Sequence, residues 1–211
     1  MKRLTQVLFL AVIFSLAGCA SMPPIEIKPV TPNLNIAPTG IRPLHLGVVI
    51  ADPMPYSIFY RGEGSYRRDM TADFRSSGLM LERDLSKIVQ DTLSQAFHQV
   101  VILRDLPQPG QYDAVVNIGL GQVLAQERVI LTGETCDVTA AWTLSVLDHQ
   151  NKEFFKTNGV SLPHNFKWSA FNPGPGWSKG ISQTLSLILT ELSTEWGTLL
   201  YRLDIPAKTA R

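Results

Sequence analysis

Residues 135–147 read Thr135-Cys136-Asp137-Val138-Thr139-Ala140-Ala141-Trp142-Thr143-Leu144-Ser145-Val146-Leu147. From Val138 onward the apolar residues Val138, Ala140, Trp142, Leu144 and Val146 alternate with Thr139, Ala141, Thr143 and Ser145. Successive side chains of a strand point to opposite faces, so this run is a strand with one face in a core and the other in water. One-sided strands belong to antiparallel sheets, whereas strands of a doubly wound parallel sheet are apolar on both faces. Trp142 falls on the core face by its phase.

The neighbouring segments extend the same reading. Upstream, Ala114-Val115-Val116-Asn117-Ile118 opens a strand that continues to about Val129. Gly119-Leu120-Gly121 lies inside it and reads as a bulge or a close backbone approach, not a nucleotide loop, because position 124 is Leu. Downstream, Asp148-His149-Gln150-Asn151 supplies turn chemistry into a strand over 152–162. Nearer the start, Leu44, Leu46, Val48 and Ile50 alternate until Asp52-Pro53-Met54-Pro55 ends the ladder, and a short strand is predicted over 100–103.

Two helices frame these strands. Leu81, Leu85, Ile88, Val89, Leu93, Ala96 and Phe97 recur at three- and four-residue steps, which predicts an amphipathic helix of about five turns. Ile181, Leu185, Ile188, Leu192, Trp196 and Leu199 stripe a second, from about Ser178 to Tyr201. Both stripes need the same sheet face. The expected fold is α+β: a two-layer sandwich of a mainly antiparallel sheet with two amphipathic helices on one face, in the order β-α-β-β-β-β-α. Residues 56–78 and 163–177 hold no sustained period and are predicted to be long loops.

Composition narrows the class of protein. Of 211 residues, 45% are hydrophobic, which suits a globular domain and not a disordered chain. The 19 Lys+Arg against 18 Asp+Glu leave +1, so no general attraction for nucleic acid is expected. Two cysteines are too few for a disulfide framework.

The first residues are an address. Lys2 and Arg3 precede the apolar run Val7 to Phe14, followed by small residues, the pattern of a secretory signal too short to span a bilayer. The segment closes on Leu16-Ala17-Gly18-Cys19, which resembles a bacterial lipobox. The resemblance implies cleavage before Cys19 and a diacylglyceryl group on its sulfur, usually with a further acyl chain on its amine. Two or three chains anchor firmly where one binds marginally. Ala20 and Ser21 follow, with no Asp at the inner-membrane retention position, so the resemblance implies the periplasmic face of a Gram-negative outer membrane. Removing 1–18 takes Lys2 and Arg3 and no acid, leaving 17 against 18, or −1. The division expected is signal peptide 1–18, lipidated Pro-rich tether 19–43, one periplasmic domain 44–204 and a tail 205–211. Cys136 is then the remaining thiol, expected to be buried beside the sheet.

No motif assigns chemistry. Walker-type Gly-Lys-Ser/Thr, GxSxG, HExxH and EF-hand patterns are missing from the sequence. His45, His98, His149 and His164 lie on separate predicted elements without metal spacing, and the pairs Asp69/Asp73 and Glu191/Glu195 read as solvated helix surface. No catalytic residue, metal or cofactor is expected. Surplus aromatic and Arg residues gather in the two predicted loops, where Tyr60, Arg67, Trp168, Phe171 and Trp177 are the candidate partner-contact residues. The alternative, that these rings fold back as lids over the sheet, stands beside it.

With lipobox, Pro-rich tether, amphipathic helix, alternating strands and terminal helix in this order, the chain resembles the YajG-type outer-membrane lipoproteins and, more distantly, the TolB-N-like and curli-secretion lipoprotein families. The likeness spans most of residues 16–204 in element order, with local echoes at Leu16 to Cys19 and Tyr112 to Ile118. It transfers no site residue beyond Cys19. It implies a non-enzymatic accessory or assembly subunit of an envelope complex, bound to the membrane by lipid and to envelope protein partners or further copies of itself. The rivals are an auxiliary component of lipid or lipopolysaccharide transport, which needs an apolar groove, and a wall-acting hydrolase, which needs a carboxylate or His cleft.

Overall fold

The computed structural model describes residues 30–34, 40–51, 57–61, 70–73, 81–130, 133–168 and 173–206. Its elements run β1 (Arg42–Ala51), β2 (Ser57–Arg61), β3 (Met70–Asp73), α1 (Leu81–Leu93), β4 (Phe97–Leu103), β5 (Ala114–Ile130), β6 (Gly133–Asp148), β7 (Glu153–Val160), β8 (His164–Trp168) and α2 (Pro173–Arg202).

The long antiparallel pair of β5 and β6 is the spine of one open, mixed sheet. Each spine strand is long enough to be flanked twice. Along its outer edge β5 takes β1 at Ala114–Gly119 and β2 at Val123–Gln126, both parallel. A register shift between Leu120 and Val123 separates the two stretches. The outer edge of β6 takes β7 and β8, both antiparallel. β4 continues beside β1 in parallel, and β3 pairs β2 antiparallel.

The alternation that predicted β6 holds residue by residue. Cys136, Val138, Ala140, Trp142, Leu144 and Val146 are buried, and Thr143 is exposed on the opposite face. Val116, Ile118, Leu46 and Val48 continue the buried row across the sheet, and Leu85, Ile88, Val89 and Leu93 of α1 with Ile181, Leu185, Ile188, Leu192 and Trp196 of α2 cover it. Trp142 and Trp196 meet edge to face at 6.0 Å and 70°, a geometry worth about 0.5–1.5 kcal/mol beyond their burial. The glycines behave as the strand pattern required: a Cβ on Gly119 would stand 2.5 Å from Thr143 Oγ1.

Four local expectations are corrected. α1 stops at Leu93, and a turn through Ala96 leads into β4, which starts at Phe97. Ala96 and Phe97 are buried in both readings, so hydrophobic spacing alone could not separate them. The 56–78 stretch contains β2 and β3, and the 163–177 stretch contains β8 and the first turn of α2. Pro173 and Pro175 are tolerated there because N–H groups of a helix's first turn have no intrahelical acceptor. The sheet also carries parallel pairs that one-sided alternation did not announce, since α1 carries the chain back to the end of the sheet where β1 began.

The return from β4 to β5 crosses β1 on the face away from the helices. Asp113 clamps it there, its N–H donating to His45 O at 2.9 Å and its Oδ2 accepting from His45 N–H at 2.7 Å. The Tyr112 ring lies over Gly47, where a Cβ would come within 2.6 Å of Leu103 Cδ1.

Candidate functional site

A groove of about 760 Å³ runs along the C-terminal half of α2, between that helix and the link from β7 to β8. Its lining includes Leu162, Leu192, Leu199 and Leu203, with Glu191 and Glu195 towards one end and Arg202 towards the other. Glu191 to Arg202 is three helical turns, roughly 16 Å of α2. Ser161 shapes the near wall. Its N–H donates to Ala140 O and its Oγ accepts from Ala140 N–H, both at 2.9 Å, so the ladder to β6 closes there and Leu162 is turned out, 73% exposed.

His164 opens β8 beside the acidic end, its Nε2 2.8 Å from Glu191 Oε2. Glu191 is half exposed, so this pair contributes little to stability. It does hold one carboxylate at the groove's end. Glu191 and Glu195 read from sequence as solvated surface, which they are; their place beside a groove depends on Leu162, thirty residues away in sequence, and had no local signal. No group of three or more His, Cys, Asp or Glu that would suit a metal ion occurs among the described residues. Shape, an apolar floor and separated charges equip this groove to hold an elongated amphipathic segment or molecule.

β7 borders the same region with its second edge unpaired among the described residues. Ser161 N–H points to β6, and antiparallel pairing alternates, so Lys156, Asn158 and Val160 turn their N–H and C=O outward. Val160 is 65% exposed.

The sequence-derived contact residues fall as follows. Tyr60 lies in β2, paired with Met70 and Ala125. Trp168 ends β8 opposite Glu134, and Trp177 belongs to the opening turns of α2. In register, Tyr60, Ala125, Val138 and His164 form one row across the sheet, so β2 and β8 occupy the same end of the spine. Arg67, Phe171 and Cys19 lie outside the described residues. Cys136 is fully buried on β6, as its phase required.

One structural side chain had no signal in the sequence. Arg42, at the start of β1, caps the C-terminus of α2: its Nη1 lies 2.7, 3.1 and 3.4 Å from the carbonyl oxygens of Leu203, Tyr201 and Leu200. Its guanidinium also sits 6.0 Å from the Phe97 ring centroid.

No family model and no curated protein matches this chain. Solved structures with related outlines include a Xanthomonas campestris protein of the DUF330 family, 12% identical, covering 85% of this chain and 94% of that one at a TM-score of 0.48. A neuraminyllactose-binding hemagglutinin homolog from Helicobacter pylori is 11% identical, covering 81% and 92% at 0.47. A minor lipoprotein from Acinetobacter baumannii is 7% identical, covering 78% and 96% at 0.39. At these scores the likenesses carry no argument about function. No helix among the described residues is long and apolar enough to cross a membrane.

Proposed function

We propose that the protein is a lipoprotein anchored through Cys19 to the outer membrane, facing the periplasm, and that it works as a non-enzymatic accessory subunit of an envelope complex. The lipobox-like Leu16-Ala17-Gly18-Cys19, followed by Ala20 and Ser21 with no Asp, supports the address. The groove beside α2, with exposed Leu162 in its lining, is the observation that supports a binding role. Together with the β7 edge it offers an apolar floor and outward backbone groups, the two components by which an extended polypeptide adds to a sheet. The test is co-purification from native envelopes with photocrosslinkers at Leu162 and Val160, against Tyr60, Trp168 and Trp177 as the other candidate surface. A specific protein crosslinked at Leu162 supports the groove, and one crosslinked at Val160 supports the β7 edge beside it; crosslinks confined to the second set move the contact to the end of the spine occupied by β2 and β8.

A second reading follows from the same floor of Leu162, Leu192, Leu199 and Leu203: an auxiliary role in lipid transport, with an acyl chain in the groove. Lipid carried through purification, and lost in Leu162→Glu while the fold persists, is the result that favours it.

A further inference from the structure

Residues 30–34, within the stretch whose composition reads as tether, lie as an extended strap across both helices. Val30 N–H donates to Thr190 Oγ1 on α2 at 3.3 Å, and Thr31 Oγ1 donates to Asp91 Oδ2 on α1 at 3.4 Å. Gln95 grips the strap with both ends of its amide: Nε2 donates to Pro32 O at 2.8 Å and Oε1 accepts from Leu34 N–H at 3.0 Å. Leu34 is buried over Gly197, where a Cβ would come within 2.9 Å of Leu34 Cδ1 and 3.3 Å of Thr92 Cγ2. The strap therefore runs along α2 from Thr190 to Gly197, on the outer surface of the helical layer.

We infer that this anchoring sets the domain's orientation: the helical layer faces the bilayer and the open sheet face, with Thr143 and Asn158, is presented away from it. The inference rests on lipidation at Cys19. A free 23-residue tether from Ser21 to Pro43 would reach on the order of 70 Å if fully extended. With the strap docked, only the residues between Cys19 and Val30 are left, and their reach is roughly 34 Å at about 3.1 Å per residue. Turning the open face to the lipid would take the chain across half the helical layer and then through about 20 Å of helix and sheet thickness, consuming nearly all of that length. The helical layer needs none of it. Val30 and Leu187, 72% and 54% exposed, place apolar side chains on the membrane-facing surface.

The test uses the acylated protein in phosphatidylethanolamine/phosphatidylglycerol vesicles containing nitroxide-headgroup lipid. In a Cys136→Ser background a fluorophore is placed at Gln183→Cys, two turns before Thr190 on α2, or at Thr143→Cys on the open face; both native residues are exposed. Mass spectrometry of the same vesicles establishes acylation at Cys19, and melting curves establish folding of each labelled variant. The expected result is several-fold stronger quenching at 183 than at 143, collapsing towards equality when a 20-residue Gly/Ser insert follows Ser21. Equal quenching, or stronger quenching at 143, in acylated protein overturns the orientation and leaves the lipoprotein reading standing. A difference that survives the insert overturns the tether-length argument. Absence of acyl chains on Cys19 overturns both readings.

Discussion

The contact of Leu34 with Gly197 makes a prediction whose sign depends on the strap. Gly in a helix interior costs about 0.8–1 kcal/mol relative to Ala, so Gly197→Ala on an unobstructed surface would stabilise α2 by roughly that amount. Here the new Cβ would stand 2.9 Å from Leu34 Cδ1, and Leu34 is only 6% exposed, so the side chain has to leave its seat. Returning a buried Leu to water costs about 1.5–3 kcal/mol. The displacement wins, and Gly197→Ala is expected to destabilise the native chain by about 1 kcal/mol, or ~2–4 °C in Tm for a domain of this size. In a Leu34→Ala background the obstruction is gone, and only Thr92 Cγ2 at 3.3 Å has to give by a few tenths of an ångström. There the same substitution is expected to stabilise by about 0.5 kcal/mol, the propensity gain less the adjustment of Thr92. The coupling of about 1.5 kcal/mol lies well within what double-mutant cycles detect. Urea unfolding followed by circular dichroism, with unchanged m-values, is the assay. If Gly197→Ala has the same sign and size in both backgrounds, the strap does not occupy this site and the orientation built on it falls as well.

Arg42→Met keeps the aliphatic stem but removes donors to the last carbonyls of α2, and is expected to cost about 1.5–3 kcal/mol, with Arg42→Lys losing less; equal stability of all three chains would contradict the cap. Cys136, fully buried, is expected to react with a maleimide only as fast as the domain opens, and labelling at the rate of a free peptide thiol would refute its placement. The Asp148 carboxylate is held below its usual pKa, first by the Lys152 N–H it accepts, then by the Gln150 N–H and by nearby His149 and Lys152, with desolvation opposing. A carboxyl depressed in the fold stabilises above its unfolded-state pKa and loses that contribution as pH falls through the lowered value. Asp148→Asn should therefore flatten the acid limb of the stability profile, and an unchanged acid limb would exclude this turn as a contributor.

The parts of the fold legible in sequence were those in which the core imposes a period over many residues. β5, β6 and the stripe of α2 each repeat their spacing far enough to be read without neighbours. β2 and β3 are five and four residues long, too short to show a period, and β2 owes its place to parallel pairing with Val123–Gln126 more than sixty residues away. β8 did carry a signal: His164 and Phe166 are part-buried while Asn165 and Lys167 are exposed, an alternation lost among the prolines, glycines and aromatics that follow. The groove and the strap were illegible for a different reason. Leu162 meets Glu191 and Leu199, and Leu34 meets Thr92 and Gly197, only after both helices have packed on the sheet. A proline-rich tether has no periodicity with which to announce that five of its residues are docked.

The proposed function and the orientation both require that this domain be held to a membrane through Cys19. The direct measurement is mass spectrometry of the N-terminal peptide of the mature protein taken from native membranes. The expected result is a chain beginning at Cys19, its sulfur carrying diacylglycerol. A mature N-terminus at any other residue, or an unmodified Cys19 in membrane-retained protein, would contradict it.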